Sequence, residues 1–140
     1  MDKDNRNLLL QDLSSRIPYG VKVTVNQSEL KNYDYKWKNW SFDEEPQEID
    51  GVSIYGVTFG CMDMSDGVIG FEYIKPYLFP LSSMTEEQSK IYHELIGGMF
   101  GTSALINFEV LEDFFHKNHL DYKGLIEKNL AIDATKLNVY

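Results

Sequence analysis

The chain has 140 residues, of which 43% are hydrophobic and 25% are charged. This length and composition fit one domain spanning residues 1–140, and they exclude a wholly disordered chain and a membrane-embedded one. Thirteen Lys and Arg stand against 22 Asp and Glu, which gives a net charge of −9 with His neutral. Such a charge disfavours binding to nucleic acid or to an anionic membrane surface.

Cysteine usage and the start of the chain bear on the compartment. Cys61 is the only cysteine, so no disulfide can form within the chain, which fits a reducing environment. Residues 1–10 lack the basic region and the long apolar region of a signal peptide. We therefore expect a soluble, cytoplasmic protein.

The first half of the chain predicts one helix followed by four strands. Apolar residues at helical spacing predict the helix over residues 5–16, which Pro18 and Gly20 would end. Alternating or continuous apolar runs predict the strands over residues 21–25, 33–37, 52–61 and 68–75.

The connections in this half are predicted from turn residues. Residues 26–29 are expected to form a turn, and residues 65–67 the turn of a hairpin between the last two strands. Gly56 is expected to form a bulge. Pro76 and Pro80 are expected to end the sheet.

The second half predicts helices. Thr85 and Gln88 have the spacing of a capping box, and the helix they begin would bury a stripe including Ile91 and end at Gly97. A second helix would be capped by Asn107 and would bury Phe108, Leu111, Phe114 and Phe115.

A short third helix over residues 122–128 would end at Asn129 in the left-handed conformation, and residues 130–132 would form an edge strand. The predicted fold class is therefore α+β. We expect an antiparallel sheet of about four strands with an N-terminal helix and two to three C-terminal helices.

Acidic residues are concentrated in one window. Residues 43–73 contain eight acids and no bases: Asp43, Glu44, Glu45, Glu48, Asp50, Asp63, Asp66 and Glu72. Such a window serves solubility or faces a basic partner. Asp43, Glu44, Glu45 and Glu48 are therefore candidate partner-binding residues.

The segment before this window interleaves aromatic and basic residues. Trp37 and Trp40 are its candidate partner-binding residues, because rings beside lysines can stack on bases or form a protein interface. In a strand, however, alternation would place rings and lysines on opposite faces, which favours packing over contact with nucleic acid.

The candidate metal ligands are Glu112, His116 and His119, with Asp121 just beyond them. On a helix the first three lie within about 60° of one another, and two imidazoles with a carboxylate would suit zinc. The alternative is a helix pair between Glu112 and His116, with His119 bonded to backbone at the helix end.

No phosphate-binding loop, dinucleotide fingerprint, CxxC pair or EF-hand loop occurs in the sequence, and no cofactor is predicted. Cys61 and the pair Ser82–Ser83 lack the neighbours of a catalytic nucleophile. The sequence therefore favours a binding protein over an enzyme.

Three segments carry a resemblance to known proteins: Pro18-Tyr19-Gly20-Val21-Lys22, residues 74–85 (IKPYLFPLSSMT) and residues 118–128 (NHLDYKGLIEK). Together they resemble a family of small uncharacterised proteins of anaerobic gut bacteria and their phages and mobile elements. The resemblance implies a genomic setting and no reaction.

Three functional hypotheses follow. The first is an acidic accessory protein that binds a macromolecular partner, for example as an inhibitor covering a basic site on a host or phage protein. The second is a small metal-dependent hydrolase using Glu112, His116 and His119. The third is a structural protein whose aromatic residues form a homo-oligomer.

Overall fold

The computed structural model describes residues 1–33, 46–60, 62, 67–98 and 104–140, without the side chains of residues 33, 98 and 104–107. Its helices are α1 (Lys3–Arg16), α2 (Gln27–Tyr33), α3 (Glu86–Gly98) and α4 (Ala104–Lys117). Its strands are β1 (Lys22–Val25), β2 (Gln47–Ser53), β3 (Gly56–Phe59), β4 (Ile74–Pro80), β5 (Leu120–Asp121) and β6 (Ile132–Asp133). The predicted α+β class is confirmed.

The strands of the described residues form one sheet in the order β3-β2-β1-β4-β5, and β6 also pairs with β4. The pairings from β3 to β4 are antiparallel. The short strands β5 and β6 run parallel to β4. The sheet is therefore mixed and has six strands, whereas an antiparallel sheet of about four was expected.

Helix α1 forms as its sequence predicts. Asp2 caps it by accepting a hydrogen bond from the backbone N–H of Asn5 at 2.7 Å. A 3₁₀ turn (Ile17–Tyr19) follows, and Gly20 leaves it in the left-handed conformation with φ 70°. Leu9 and Leu13 are fully buried and join α1 to the sheet.

The hydrophobic interior has two parts. The larger lies between α1 and the sheet and includes Val23, Ile49, Phe59 and Leu78. The smaller lies under α4 and consists of Leu111, Phe114, Phe115 and Leu120, with partly buried side chains from α3 against it. The two helical faces of the second half therefore pack on each other more than on the main sheet.

The predicted turn at residues 26–29 is wrong, because these residues begin α2. Asn26 caps this helix, since its carbonyl accepts from Leu30 N–H at 3.1 Å and its side chain accepts from Glu29 N–H at 3.3 Å. Tyr33 therefore ends a helix and does not start a strand. The rest of the predicted strand, residues 34–37, lies outside the described residues.

The predicted strand over residues 52–61 is also wrong, because a two-residue turn divides it. Ser53 pairs with Gly56, so Ile54 and Tyr55 form the tip of a β2–β3 hairpin. The irregularity in register falls between Ile49 and Gly51, not at Gly56. Turns usually contain Gly, Asn or Asp, whereas this turn is formed by Ile54 and Tyr55. Its sequence therefore has the apolar pattern of a continuous strand.

Of the hairpin predicted between residues 52–61 and 68–75, the described residues show a single bridge, between Val57 and Ile69. A 3₁₀ turn (Phe71–Tyr73) interrupts the second of these segments before β4 begins. Of the predicted hairpin turn, residues 65 and 66 lie outside the described residues.

Proline does not end the sheet, contrary to the prediction from Pro76 and Pro80, which both belong to β4. At one end of the β1–β4 ladder, Asn26 N–H bonds to the Tyr73 carbonyl at 2.7 Å. Along an antiparallel ladder, hydrogen-bonded pairs of residues alternate with pairs that share no hydrogen bond. Pro76 faces Val23 in a pair that does not need its N–H. The missing donor therefore costs no ladder bond.

The predicted capping box at the start of α3 is confirmed. Thr85 N–H donates to Gln88 Oε1 at 3.0 Å, and Gln88 N–H donates to Thr85 Oγ1 at 3.1 Å. Helix α4 begins at Ala104, so the predicted start at Asn107 is wrong. No helix in the described part of the chain is long and apolar enough to cross a membrane.

A helix was predicted over residues 122–128, but residues 122–124 are irregular and residues 125–129 form hydrogen-bonded turns. Asn129 adopts the predicted left-handed conformation with φ 59°. The strand predicted over residues 130–132 is found as Ile132–Asp133, and Ala134 N–H bonds to the Leu78 carbonyl of β4 at 2.9 Å.

Candidate functional site

A buried ion pair lies at the end of α1. Asp12 and Arg16 are both fully buried. The guanidinium donates two hydrogen bonds to the carboxylate, from Nε to Oδ2 at 2.8 Å and from Nη2 to Oδ1 at 3.1 Å. Arg16 Nη2 also donates to the Leu120 carbonyl at 2.7 Å. Arg16 Nη1 has no hydrogen-bond partner among the described residues. The pair therefore ties α1 to β5.

Tyr122 extends this cluster toward α4. Its ring lies 5.8 Å from the Arg16 guanidinium carbon, within the range of a cation–π contact. Its hydroxyl is hydrogen-bonded to His116 Nε2 at 2.9 Å. Burial, together with the negative charges of Glu112 and Asp12, raises the pKa of Tyr122 to about 12, so the hydroxyl stays protonated.

His119 and Tyr140 form the other side of the cluster. Their rings stack with centroids 3.6 Å apart, and His119 has a left-handed backbone with φ 55°. The Tyr140 hydroxyl accepts from Lys22 N–H at 2.9 Å and donates to the Tyr77 carbonyl at 2.8 Å. It thus bridges β1 and β4 immediately beyond their paired residues.

The histidines of this cluster are held neutral. Burial first, and then the charges of Arg16 and Lys22, lower the pKa of His119 to about 4. Burial and Arg16 also lower the pKa of His116, against smaller opposing effects of Asp12 and Glu112. The hydrogen bonds and ring contacts of this cluster join α1, α4 and β5, although Arg16 Nη1 and His119 Nδ1 are buried without a hydrogen-bond partner among the described residues.

The predicted zinc ligands are not brought together. His116 faces Tyr122, His119 lies against Tyr140, and Glu112 is half-buried on α4. Asp121 accepts from Leu125 N–H and Ile126 N–H, both at 2.9 Å, and so caps the following turn. Among the described residues, no three His, Cys, Asp or Glu side chains form a group that could hold a metal ion.

Most of the predicted partner-binding residues fall outside the described residues, namely Trp37, Trp40, Asp43, Glu44 and Glu45. Glu48 is described and exposed in β2, opposite Lys22 of β1.

A groove with apolar and polar lining residues lies between α3 and α4. We name it the α3–α4 groove, and its main lining residues are Gln88, Ile91, Leu95, Val110, Phe114 and Lys117. It encloses about 450 Å³. Ile91 is 39% exposed and Val110 is 45% exposed.

This exposure corrects two predictions, because Ile91 and Phe108 were expected to be buried and Phe108 is 49% exposed. Leu111, Phe114 and Phe115 are buried as predicted. A groove with an apolar floor that is open to water can receive the apolar side chains of another molecule.

No protein-family model matches this chain, and comparison with curated proteins and with solved structures also found no match.

Sequence reasoning missed the buried pair, although the sequence contains a signal for it. At 100° per residue, Asp12 and Arg16 share the face of α1 that carries Leu9 and Leu13. Two opposite charges at i and i+4 on an apolar face indicate a buried pair. The stack of His119 on Tyr140 had no such signal, because it joins distant parts of the chain.

Proposed function

We propose that this protein acts by binding another protein in the α3–α4 groove, as an accessory protein and not as an enzyme. One observation carries this proposal: Ile91 and Val110 lie on opposite walls of the groove and are 39% and 45% exposed. Covering such side chains gains about 25 cal/mol for each Å² of apolar surface removed from water. An apolar groove of this kind is typical of interaction sites.

The charge of the chain supports a basic partner. The chain carries −9, and acids outnumber bases on both groove helices. A concrete form of the proposal is an inhibitor that covers a basic site on a bacterial nuclease or defence protein. The resemblance to proteins of phages and mobile elements supports this form. Its binding would weaken as salt is raised, because salt screens charge–charge attraction.

The test compares two variants with the same substitution at exposed isoleucines. Ile91→Asp places a charge in the groove, whereas Ile54→Asp places one at the β2–β3 turn, where Ile54 is 63% exposed. Tagged wild-type protein and both variants are used to capture partners from native host lysate at low and high salt. We expect one dominant partner that is released by salt, retained by Ile54→Asp and lost by Ile91→Asp.

Two outcomes would contradict the proposal. A partner captured equally by Ile91→Asp and the wild type would show that the groove is not the binding surface. Light scattering that shows a wild-type dimer and an Ile91→Asp monomer would show that the groove joins two copies of this chain, as in a homo-oligomer. Circular dichroism of both variants checks that each is folded.

A further inference from the structure

Helices α3 and α4 run antiparallel. Gln88 near the start of α3 donates from Nε2 to Asn118 Oδ1 beyond the end of α4, at 3.2 Å. One turn further along α3, the rings of Tyr92 and Phe115 lie 6.0 Å apart. The two helices therefore form a helical hairpin, and the α3–α4 groove runs along its length.

Each helix presents a regular stripe to this groove. Gln88, Ile91 and Leu95 recur at intervals of three and four on α3. Val110, Phe114 and Lys117 do the same on α4. This is the spacing with which a helix meets another helix along a seam. Two such stripes side by side form a groove of the kind into which a third helix packs in a helical bundle.

Acidic side chains lie in and beside the groove. Its lining includes the acids Glu87 on α3 and Asp113 on α4 and the base Lys117. Asp113 also accepts a hydrogen bond from the Tyr19 hydroxyl. Glu94 lies seven residues after Glu87, and Glu109 lies four residues before Asp113, so each continues the acidic side of its helix beyond the lining residues.

We propose that the α3–α4 groove binds a basic amphipathic helix of a partner protein, which completes a three-helix arrangement. The partner helix would place apolar residues at i, i+4 and i+7 on Ile91, Leu95 and Val110. Its Lys and Arg residues would flank that stripe and face Glu87 and Glu94. From Thr85 to Leu95 the groove wall is about 15 Å long, which matches about three helical turns.

Other occupants fit the observations less well. An extended segment would find no free ladder groups, because the backbone of both helices is bonded internally. A second copy of this chain would bring another net charge of −9. The acidic edges would repel an anionic membrane. The proposal names the partner for the function proposed above and rests on it.

The probes are three labelled peptides of about 18 residues, long enough for an isolated helix to form. The first is a Leu/Lys sequence with one apolar stripe, the second has the same composition with the stripe broken, and the third replaces Lys with Glu. Fluorescence anisotropy measures their binding to the full chain. We expect the first to bind at least about tenfold more tightly than either of the others.

Matched charge reversals locate the binding. Glu87→Lys/Glu94→Lys changes the α3 edge of the groove, whereas Glu29→Lys/Glu127→Lys makes the same charge change at exposed sites elsewhere. We expect the first double variant to bind the Leu/Lys peptide at least about tenfold more weakly than the wild type does. The affinity of the second double variant should stay within about twofold of the wild-type value. Added salt should weaken the wild-type complex.

The outcomes separate this inference from the proposed function. Equal binding of the striped and broken-stripe peptides, or equal loss in both double variants, would show unspecific attraction to an acidic protein and would overturn the inference. If Ile91→Asp abolishes capture of the native partner while the Leu/Lys peptide does not bind, the proposed function stands and the basic-helix inference fails. If capture also survives Ile91→Asp, the proposed function fails.

Discussion

The ring of Tyr140 lies flat on the imidazole of His119, with ring planes 10° apart. The His119 backbone is fixed as well, because its carbonyl accepts from Phe79 N–H at 2.8 Å. The Tyr140 hydroxyl bonds to β1 and β4, so this one side chain joins two strands to His119, the residue before β5. The stack therefore couples the region after α4 to the centre of the sheet.

Removing the Tyr140 hydroxyl should loosen the β1–β4 junction. Tyr140→Phe keeps the stacked ring but leaves Lys22 N–H and the Tyr77 carbonyl without their bridge. We expect a loss of about 1 kcal/mol in the free energy of unfolding and faster hydrogen exchange at the Lys22 amide. Tyr55→Phe, at a side chain that is 74% exposed, is the control. Unchanged stability and exchange in Tyr140→Phe would show that the bridge contributes nothing.

Stability should fall on acidification through His119. The pKa of His119 is lowered from 6.5 to about 4, so between these values the unfolded chain binds a proton that the folded chain does not. The free energy of unfolding therefore decreases as the pH falls through this window, and the loss is complete below about pH 4. The lowered pKa of His116 acts in the same direction.

Urea unfolding at several pH values between about 5 and 7 measures this slope where most carboxylates stay ionised. His119→Asn should flatten the slope, since asparagine tolerates the left-handed backbone and does not titrate. A slope that is equal in the wild type and His119→Asn would refute this assignment.

Breaking the buried pair should cost more than replacing it. Asp12→Ala leaves the Arg16 guanidinium buried without its counter-charge, for which we expect a loss of about 3–5 kcal/mol. Asp12→Leu/Arg16→Met removes both charges and should cost less than Asp12→Ala alone. Chemical denaturation of the three proteins checks this order. If the double variant is less stable than Asp12→Ala, the ion pair stabilises the fold relative to apolar residues at the same positions.

Two glycines give a matched pair of opposite predictions. A Cβ on Gly56 would lie 2.1 Å from the Ile69 carbonyl oxygen, within the bridge beside β3. Gly56→Ala should therefore destabilise the protein by more than about 1 kcal/mol. Gly97 lies in α3 with open space around the same position, so Gly97→Ala should stabilise it by about 0.5–1 kcal/mol. Thermal unfolding of both variants measures the signs, and a stable Gly56→Ala would contradict the close approach.

Local signals predicted part of the fold. The stripe of α1, the capping box of Thr85 and Gln88 and the left-handed Asn129 all depend on residues within one or two turns. Local signals also misled, since α2 and the turn at Ile54 and Tyr55 were missed. Other errors arose where a neighbour distant in sequence decides. Pro76 fits in β4 because its partner Val23 does not need a hydrogen bond from it. The residues next to Pro76 in the sequence do not show which residue it pairs with.

The candidate sites divide in the same way. Glu112, His116 and His119 have the spacing of ligands on one helix face. In the structure, however, His116 is hydrogen-bonded to Tyr122, and His119 stacks on Tyr140. Helix α4 ends at Lys117 and His119 has a left-handed backbone, so His119 leaves the helix face on which its spacing would place it. The spacing therefore predicted a common site that the packing separates.

The sequence by itself determined the acidic charge, the α+β class and the positions of α1 and α3, because composition and short-range hydrogen bonding are written in consecutive residues. Only the tertiary structure decided the mixed sheet, the buried pair of Asp12 and Arg16, and the open groove that leaves Ile91 in water. Each of these depends on which surfaces meet. That choice is made by the burial of the whole chain, so apolar periodicity shows that a face can be covered but not what covers it.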